Sequence, residues 1–195
     1  MINVWAFTDE VPGMIEKYKE LHPDFDYDIN TTIIATTDGA YQPALDQALA
    51  AGGADAPDIY CAEAAFVLKY TQGDASQYAA AYEDLGIDVA TMTKDADIAQ
   101  YTMDIGTNTD GKLVALGYQA TGGAFIYRRS IAKDVWGTDD PAEITKKVGP
   151  GWDQFYNAAA ELKAKGYGIV SGDGDIWHAV ENSSDKGWIV DGKLN

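Results

Sequence analysis

Ile2-Asn-Val-Trp-Ala-Phe7 opens a stretch, residues 2–61, whose succession of apolar patterns decides the fold. The run itself reads as a short buried strand. Val11, Met14, Ile15, Tyr18 and Leu21 follow at the i, i+3, i+4 spacing of a helix. Thr8 or Asp9 can cap that helix, Pro12 suits its first turn, and His22-Pro23 stops it. Residues 27–35, rich in Ile and Thr, read as a second strand. A second helix begins near Gln42, with Tyr41, Leu45, Ala48 and Leu49 on one side. Gly52-Gly53 ends it, because glycine adopts the left-handed backbone at little cost. Pro57-Asp-Ile-Tyr-Cys61 is a third strand. The pattern is βαβαβ, which predicts an α/β layer fold. Its strands 2–7, 27–35 and 57–61 should run parallel in the order 2-1-3. Ligands of such open sheets bind beyond the carboxyl ends of the strands. That rule points to Phe7, Thr8 and Asp9, to Thr36-Thr37-Asp38, and to Cys61-Ala-Glu63.

Outward from this stretch, residues 64–106 read as broken helix, with Ile98, Tyr101, Thr102 and Ile105 on one face. Asn108-Thr-Asp-Gly111 is a turn signal. Strands are expected at 112–118 and 123–128, joined by the polar, glycine-containing 119–123. Ser130 can cap a helix running to Trp136. A loop with one helical turn at 141–148 follows. Trp152, Phe155, Tyr156, Ala159 and Leu162 mark a further helix closed by Gly166. Residues 168–171 read as a strand, 175–183 as a helix and 187–192 as a strand or turn. Trp5 and Trp152 are assigned to the core, and so is Cys61, as a small hydrophobe at a strand end.

Composition narrows the function. The 195 residues carry 14 Lys+Arg against 31 Asp+Glu, a formal charge of −17, with 46% apolar residues. So much apolar side chain makes the chain globular rather than disordered. Nucleic acid and anionic membrane surfaces are unsuited partners, since both need clustered cations. No apolar run approaches the ~20 residues of a membrane span. One cysteine excludes an internal disulfide framework.

Motifs of common chemistries are missing. There is no P-loop, and Gly166-Tyr-Gly168 precedes a strand instead of following one, so no dinucleotide turn is read. No G-x-S-x-G elbow occurs. Only His22 and His178 are present, too few for a histidine-rich metal site. Residues 104–111 imitate a calcium loop, yet Gly106 and Gly117 stand where carboxylates are required. Asp173-Gly-Asp175 reads as a solvated turn. No metal and no cofactor are expected. Among 31 acidic residues some pair will by chance have the spacing of a glycoside hydrolase, and the sequence singles none out.

The same residues resemble a known family. The βαβαβ order, then Ala51-Gly-Gly-Ala-Asp-Ala-Pro-Asp-Ile-Tyr60, is similar to the carbohydrate-type extracellular solute-binding proteins of ABC transporters, the maltose-binding-protein-like group. Gly111-Lys-Leu-Val-Ala-Leu-Gly-Tyr118, followed by Ala124-Phe-Ile-Tyr-Arg-Arg129, looks like the family's passage between two lobes. Gly151-Trp-Asp-Gln-Phe155 resembles its Thr-Trp-Asp-Glu-Phe helix start, with glycine in place of the capping threonine. Gly117 stands where the family usually has proline.

The resemblance implies a periplasmic-binding-protein-like fold. Residues 1–117 would be a first α/β lobe, 118–123 a hinge crossing, and 124–195 an incomplete second α/β lobe. It implies a receptor and no catalysis: a sugar or oligosaccharide caught between lobes and delivered to ABC transporter permease subunits. The setting is extracytoplasmic, as a cell-surface lipoprotein or in the periplasm. Sugar hydroxyls pair with carboxylates and amides, and aromatic rings cover the apolar faces of pyranoses. Phe7, Thr8, Asp9, Asp38 and Glu63 are thus candidate contacts. The resemblance adds Tyr118 and Gln119 at the crossing, and Trp177 and His178 beyond the second lobe's strand. The structural alternatives are helix capping for Thr8, Asp9 and Asp38, a solvated acid for Glu63, a hinge for Tyr118 and Gln119, core packing for Trp177, and a satisfied surface residue for His178. A carbohydrate hydrolase using Asp/Glu and an α/β interaction module without small ligand are the other readings. Family members are roughly twice as long, as two ordinary domains require. The chain is therefore expected to be an amino-terminal portion without its secretion signal, with open sheet edges that favour self-association.

Overall fold

The computed structural model describes residues 1–119, 122–190 and 193–195. The chain divides into two compact units, Met1–Ala120 and Thr121–Asn195. Ala120 and Thr121, in the expected hinge 118–123, lie outside the described residues, as do Asp191 and Gly192 in the stretch 187–192.

The first unit is built on three parallel strands. β1 (Ile2–Ala6) lies between β2 (Ile29–Ile33) and β3 (Ile59–Tyr60), the expected order. Register pairs Val4 with Thr31 and with Ile59. As the central strand, β1 buries Asn3, Val4 and Ala6. Burying an amide is tolerated only when it is bonded. The Asn3 Nδ2 donates to the carbonyls of Ala54 (2.8 Å) and Ala56 (3.0 Å), and its Oδ1 accepts from Asn30 Nδ2 at 3.0 Å. Those bonds tie both neighbouring segments to β1.

Helix α1 (Glu10–Leu21) forms where the spacing predicts it, yet none of its residues is buried. Period specifies a helix; it does not specify what covers its apolar side. In α2 (Tyr41–Ala51) the predicted face is buried, through Tyr41, Leu45 and Leu49. Gly52 leaves it at φ 62°. These side chains join Tyr70 and Ala75 in the core, with Trp5, Phe7, Tyr60 and Phe66 packed around them. Beyond β3 come α3 (Val67–Thr71), two 3₁₀ turns (Ser76–Tyr78 and Tyr82–Leu85), α4 (Val89–Asp95) and α5 (Gln100–Gly106). The Asn108 Oδ1 accepts from the amides of Asp110 and Lys112, closing the expected turn.

The expected strand at 112–118 is not formed: Leu113 makes an isolated bridge with Thr107. The second unit is helical where described: α6 (Arg129–Trp136), α7 (Pro141–Val148), α8 (Trp152–Ala164) and α9 (Gly174–Asn182), then a two-stranded antiparallel pair, β4 (Ile189–Val190) and β5 (Lys193–Leu194). The expected strands at 123–128 and 168–171 are not formed either. A strand is defined by a bonded partner, and apolar runs alone do not supply one. The expected single turn at 141–148 is a full helix because Asp140 caps it, accepting from the amides of Ala142 and Glu143. Ser130 does not cap α6, whose flanking residue is Arg128.

Trp152 is not in the core; it is 44% exposed. The buried face of α8 is set by Ala158 and Leu162, and at about 100° per residue Trp152 lies roughly 120° around the helix from Ala158. Trp5 is half-buried against the core, and Cys61 is also half-buried. Among the described residues no helix is long and apolar enough to cross a membrane.

Candidate functional site

In the first unit, polar side chains gather where β1 and β3 end. The centre is Glu10, in the first turn of α1, where the partial positive charge of the helix start favours a carboxylate. Its Oε2 accepts from Tyr118 Oη at 3.0 Å and from Thr8 Oγ1 at 3.5 Å. Its Oε1 accepts from Gln119 Nε2 at 3.4 Å. Residues distant in sequence are thereby brought to the end of β1. The Tyr118 hydroxyl is pushed up to about 12, first by loss of solvent and then by the Glu10 carboxylate, with Cys61 and Glu63 adding to the negative surroundings. Tyr118 and the Glu63 side chain therefore share one neighbourhood, although Tyr118 remains 42% exposed. Burial pushes the Cys61 thiol up as well, so this cysteine is a poor thiolate nucleophile.

The sheet end rests on an aromatic floor. Phe7 packs edge-on against Tyr41 (5.6 Å between ring centres) and Phe66 (6.4 Å). The buried Tyr41 donates from Oη to the Cys61 carbonyl at 2.8 Å and to the Trp5 carbonyl at 3.3 Å. One side chain thus fixes the carboxyl ends of β1 and β3 together.

Of the expected residues, Thr8, Tyr118 and Gln119 come together around Glu10, Glu63 is felt electrostatically at Tyr118, and Phe7 lies in the floor. Asp9 sits at the start of α1 but makes no side-chain capping bond. Asp38 does not cap α2 either; Ala40 holds that position. Asp38 lies exposed in a 3₁₀ turn at φ 58°, a conformation aspartate tolerates better than most residues. Glu10 is not among the expected residues, because the strand-end rule points no further than Asp9. The available signal was a carboxylate in the first turn of a helix that follows a strand.

In the second unit, Trp177 and His178 lie on α9. Trp177 is 49% exposed and stacks on Trp188, 59% exposed, with ring centres 6.1 Å apart and planes at 21°. Core packing is thus not its role. His178 is exposed, its Nδ1 3.1 Å from Glu181 Oε2. The nearby Asp175 carboxyl is held below its ordinary range by hydrogen bonds from Ser171, whose amide and hydroxyl both reach it. An apolar groove of about 420 Å³ runs inside this unit, lined by Phe125, Ile131, Ile144, Leu162 and Val170 among others. Its lining is mainly apolar, with few polar groups to orient a solute. Among the described residues no group of three or more His, Cys, Asp or Glu could hold a metal ion.

The arrangement offers carboxylate, amide and hydroxyl groups at a sheet end, and a separate exposed aromatic pair. No curated protein matches the chain. A family model does match it, over residues 5–192, nearly from end to end. The chain belongs to the family of bacterial extracellular solute-binding proteins.

Proposed function

We propose that this protein captures a sugar or oligosaccharide outside the cell and hands it to the permease subunits of an ABC import transporter. The family supports extracellular solute binding for ABC transport. The finer step, to a sugar and to the maltose-binding-protein-like group, is carried by one observation: the half-exposed Trp177 indole on α9. A flat aromatic face left in water suits the apolar face of a pyranose.

The groups around Glu10 complement it chemically. Glu10 has acceptor capacity beyond its three bonds, Gln119 can donate and accept, and Tyr118 can accept. Thr8, Asp9, Asp38 and Glu63 belong to the same carboxyl-end edge. Residues 1–117 act as one lobe, 118–123 as the crossing and 124–195 in the second lobe. The role requires no catalysis, and the working location is the cell surface, as a lipoprotein, or the periplasm.

Titration with maltotriose, cellotriose and xylotriose, followed by tryptophan fluorescence and by chromatography of the sugar, tests this. A saturable, reversible signal with intact sugar is the expected result. Cleavage products would make the protein a hydrolase, and silence with all three would remove the sugar reading.

A further inference from the structure

An exposed tryptophan on a surface helix is ordinarily free to change rotamer, and ordering it for a ligand costs entropy. Trp177 has no core to hold it: α9 contributes no buried residue. What holds the ring is Trp188, stacked upon it with planes at 21° and centres 6.1 Å apart. That separation and near-parallel alignment match offset aromatic stacking. The offset leaves both indoles about half open to water, at 49% and 59% exposure.

Trp188 is itself anchored by backbone. It immediately precedes β4, whose Ile189 and Val190 pair with Leu194 and Lys193 of β5. The Asn195 amide then donates to the Trp188 carbonyl at 2.8 Å, carrying the antiparallel pairing back to Trp188. The two-stranded ribbon is therefore a bracket, and the indole it carries meets a ring on a neighbouring helix. Burial does not explain the contact, since Trp188, Ile189 and Leu194 are all exposed. No other pair of tryptophans stacks among the described residues.

We infer that Trp188 is a positioning residue: held by the β4–β5 ribbon, it fixes the ring plane of Trp177 so that the open indole face is presented ready-oriented to a sugar ring. This rests on the sugar reading above and adds to it a residue that need not touch the solute. The benefit is preorganisation, since a ring already held loses less freedom on binding.

The test uses the full chain with Trp188→Ala, Trp188→Phe and Trp177→Ala. Two stacked indoles couple their strong ultraviolet transitions and, where the transition moments are skewed, give a paired positive and negative band in circular dichroism. That couplet should be present in the native protein and absent from all three variants. Maltotriose, cellotriose and xylotriose serve as probes, and the tightest binder is carried forward. Trp188→Ala should weaken it about two- to tenfold, the worth of one aromatic pair, and Trp188→Phe should restore most of the loss.

A Trp188→Phe protein whose far-ultraviolet spectrum equals the native one overturns the inference, since the two indoles would then not interact. So does unchanged affinity in Trp188→Ala while the couplet is lost. Equal weakening by Phe and Ala also overturns it, because it would make the Trp188 indole a direct contact. If the native protein binds none of the three sugars, the sugar reading and this inference fall together. In the preceding outcomes only the inference falls.

Discussion

Replacing Tyr41 by Phe separates the hydroxyl from the ring at the point where the core meets the candidate site. Tyr41 is fully buried, so the phenyl ring keeps its contacts with Phe7 and Phe66. The loss is confined to one donor. The Trp5 carbonyl stays satisfied, because the Cys61 amide donates to it at 2.9 Å. The Cys61 carbonyl loses its 2.8 Å bond from Tyr41 Oη. A net hydrogen bond plus a poorly satisfied buried acceptor is worth about 1–2 kcal/mol, reduced by the desolvation that phenylalanine avoids. Tyr41→Leu, which removes the ring too, should cost more, about 3 kcal/mol.

The single cysteine reports the effect locally. Cys61 is half-buried with a raised thiol pKa and should react slowly with a thiol reagent. If the Tyr41 bond holds the end of β3 in place, Tyr41→Phe should speed labelling by about 5- to 30-fold, the factor matching 1–2 kcal/mol of local opening. Amide exchange across β1 and β3 should accelerate in parallel. An unchanged labelling rate in a folded Tyr41→Phe protein would refute the argument that this hydroxyl joins the strand ends.

Other outcomes follow from the same geometry. Trp177→Ala should weaken sugar binding by about 1–3 kcal/mol in calorimetry, from the loss of one stacked ring; unchanged affinity would remove Trp177 from the site. Glu10→Gln keeps the side chain's size but removes its charge, so the Tyr118 hydroxyl should titrate below its present value of about 12, and solute affinity should fall by about 1 kcal/mol. A phenolate absorbance titration reads the first effect without any ligand. The hydroxyls of Tyr41, Tyr60 and Tyr70 are all raised above 10.0, chiefly by burial, Tyr60 to about 12. The folded state therefore holds these protons more tightly than the unfolded chain does. Their contribution is complete below pH 10, the unfolded value, and is lost as pH rises from there through the folded values. Chemical denaturation followed by circular dichroism should show the first unit losing stability as pH rises above 10, with the phenolate absorbance of these three residues rising on unfolding. Full normal titration of all tyrosines near pH 10 without unfolding would contradict the burial.

The plan of the first unit is legible in its residues alone. Apolar runs at 2–7, 27–35 and 57–61, separated by helical spacing, carry their own periodicity, and short connections leave few ways to pair parallel strands. The observed β2-β1-β3 order follows from that, as does the buried face Tyr41, Leu45 and Leu49 of α2. The positions of Thr8 and Glu63 just past strand ends are likewise legible in the residues alone. Tertiary structure decided what depends on a partner elsewhere in the chain. Whether residues 112–118, 123–128 and 168–171 become strands depends on bonded neighbours that local sequence cannot name. Whether Trp152 is buried depends on which side of α8 meets other elements, and Ala158 and Leu162 take that side. Glu10 acquires its place only because Tyr118 and Gln119, more than a hundred residues away, donate to it. Trp188 likewise gains a role only when a ribbon brings its ring onto Trp177. Periodicity encodes a residue's own element; the meeting of two elements is a property of the packed chain.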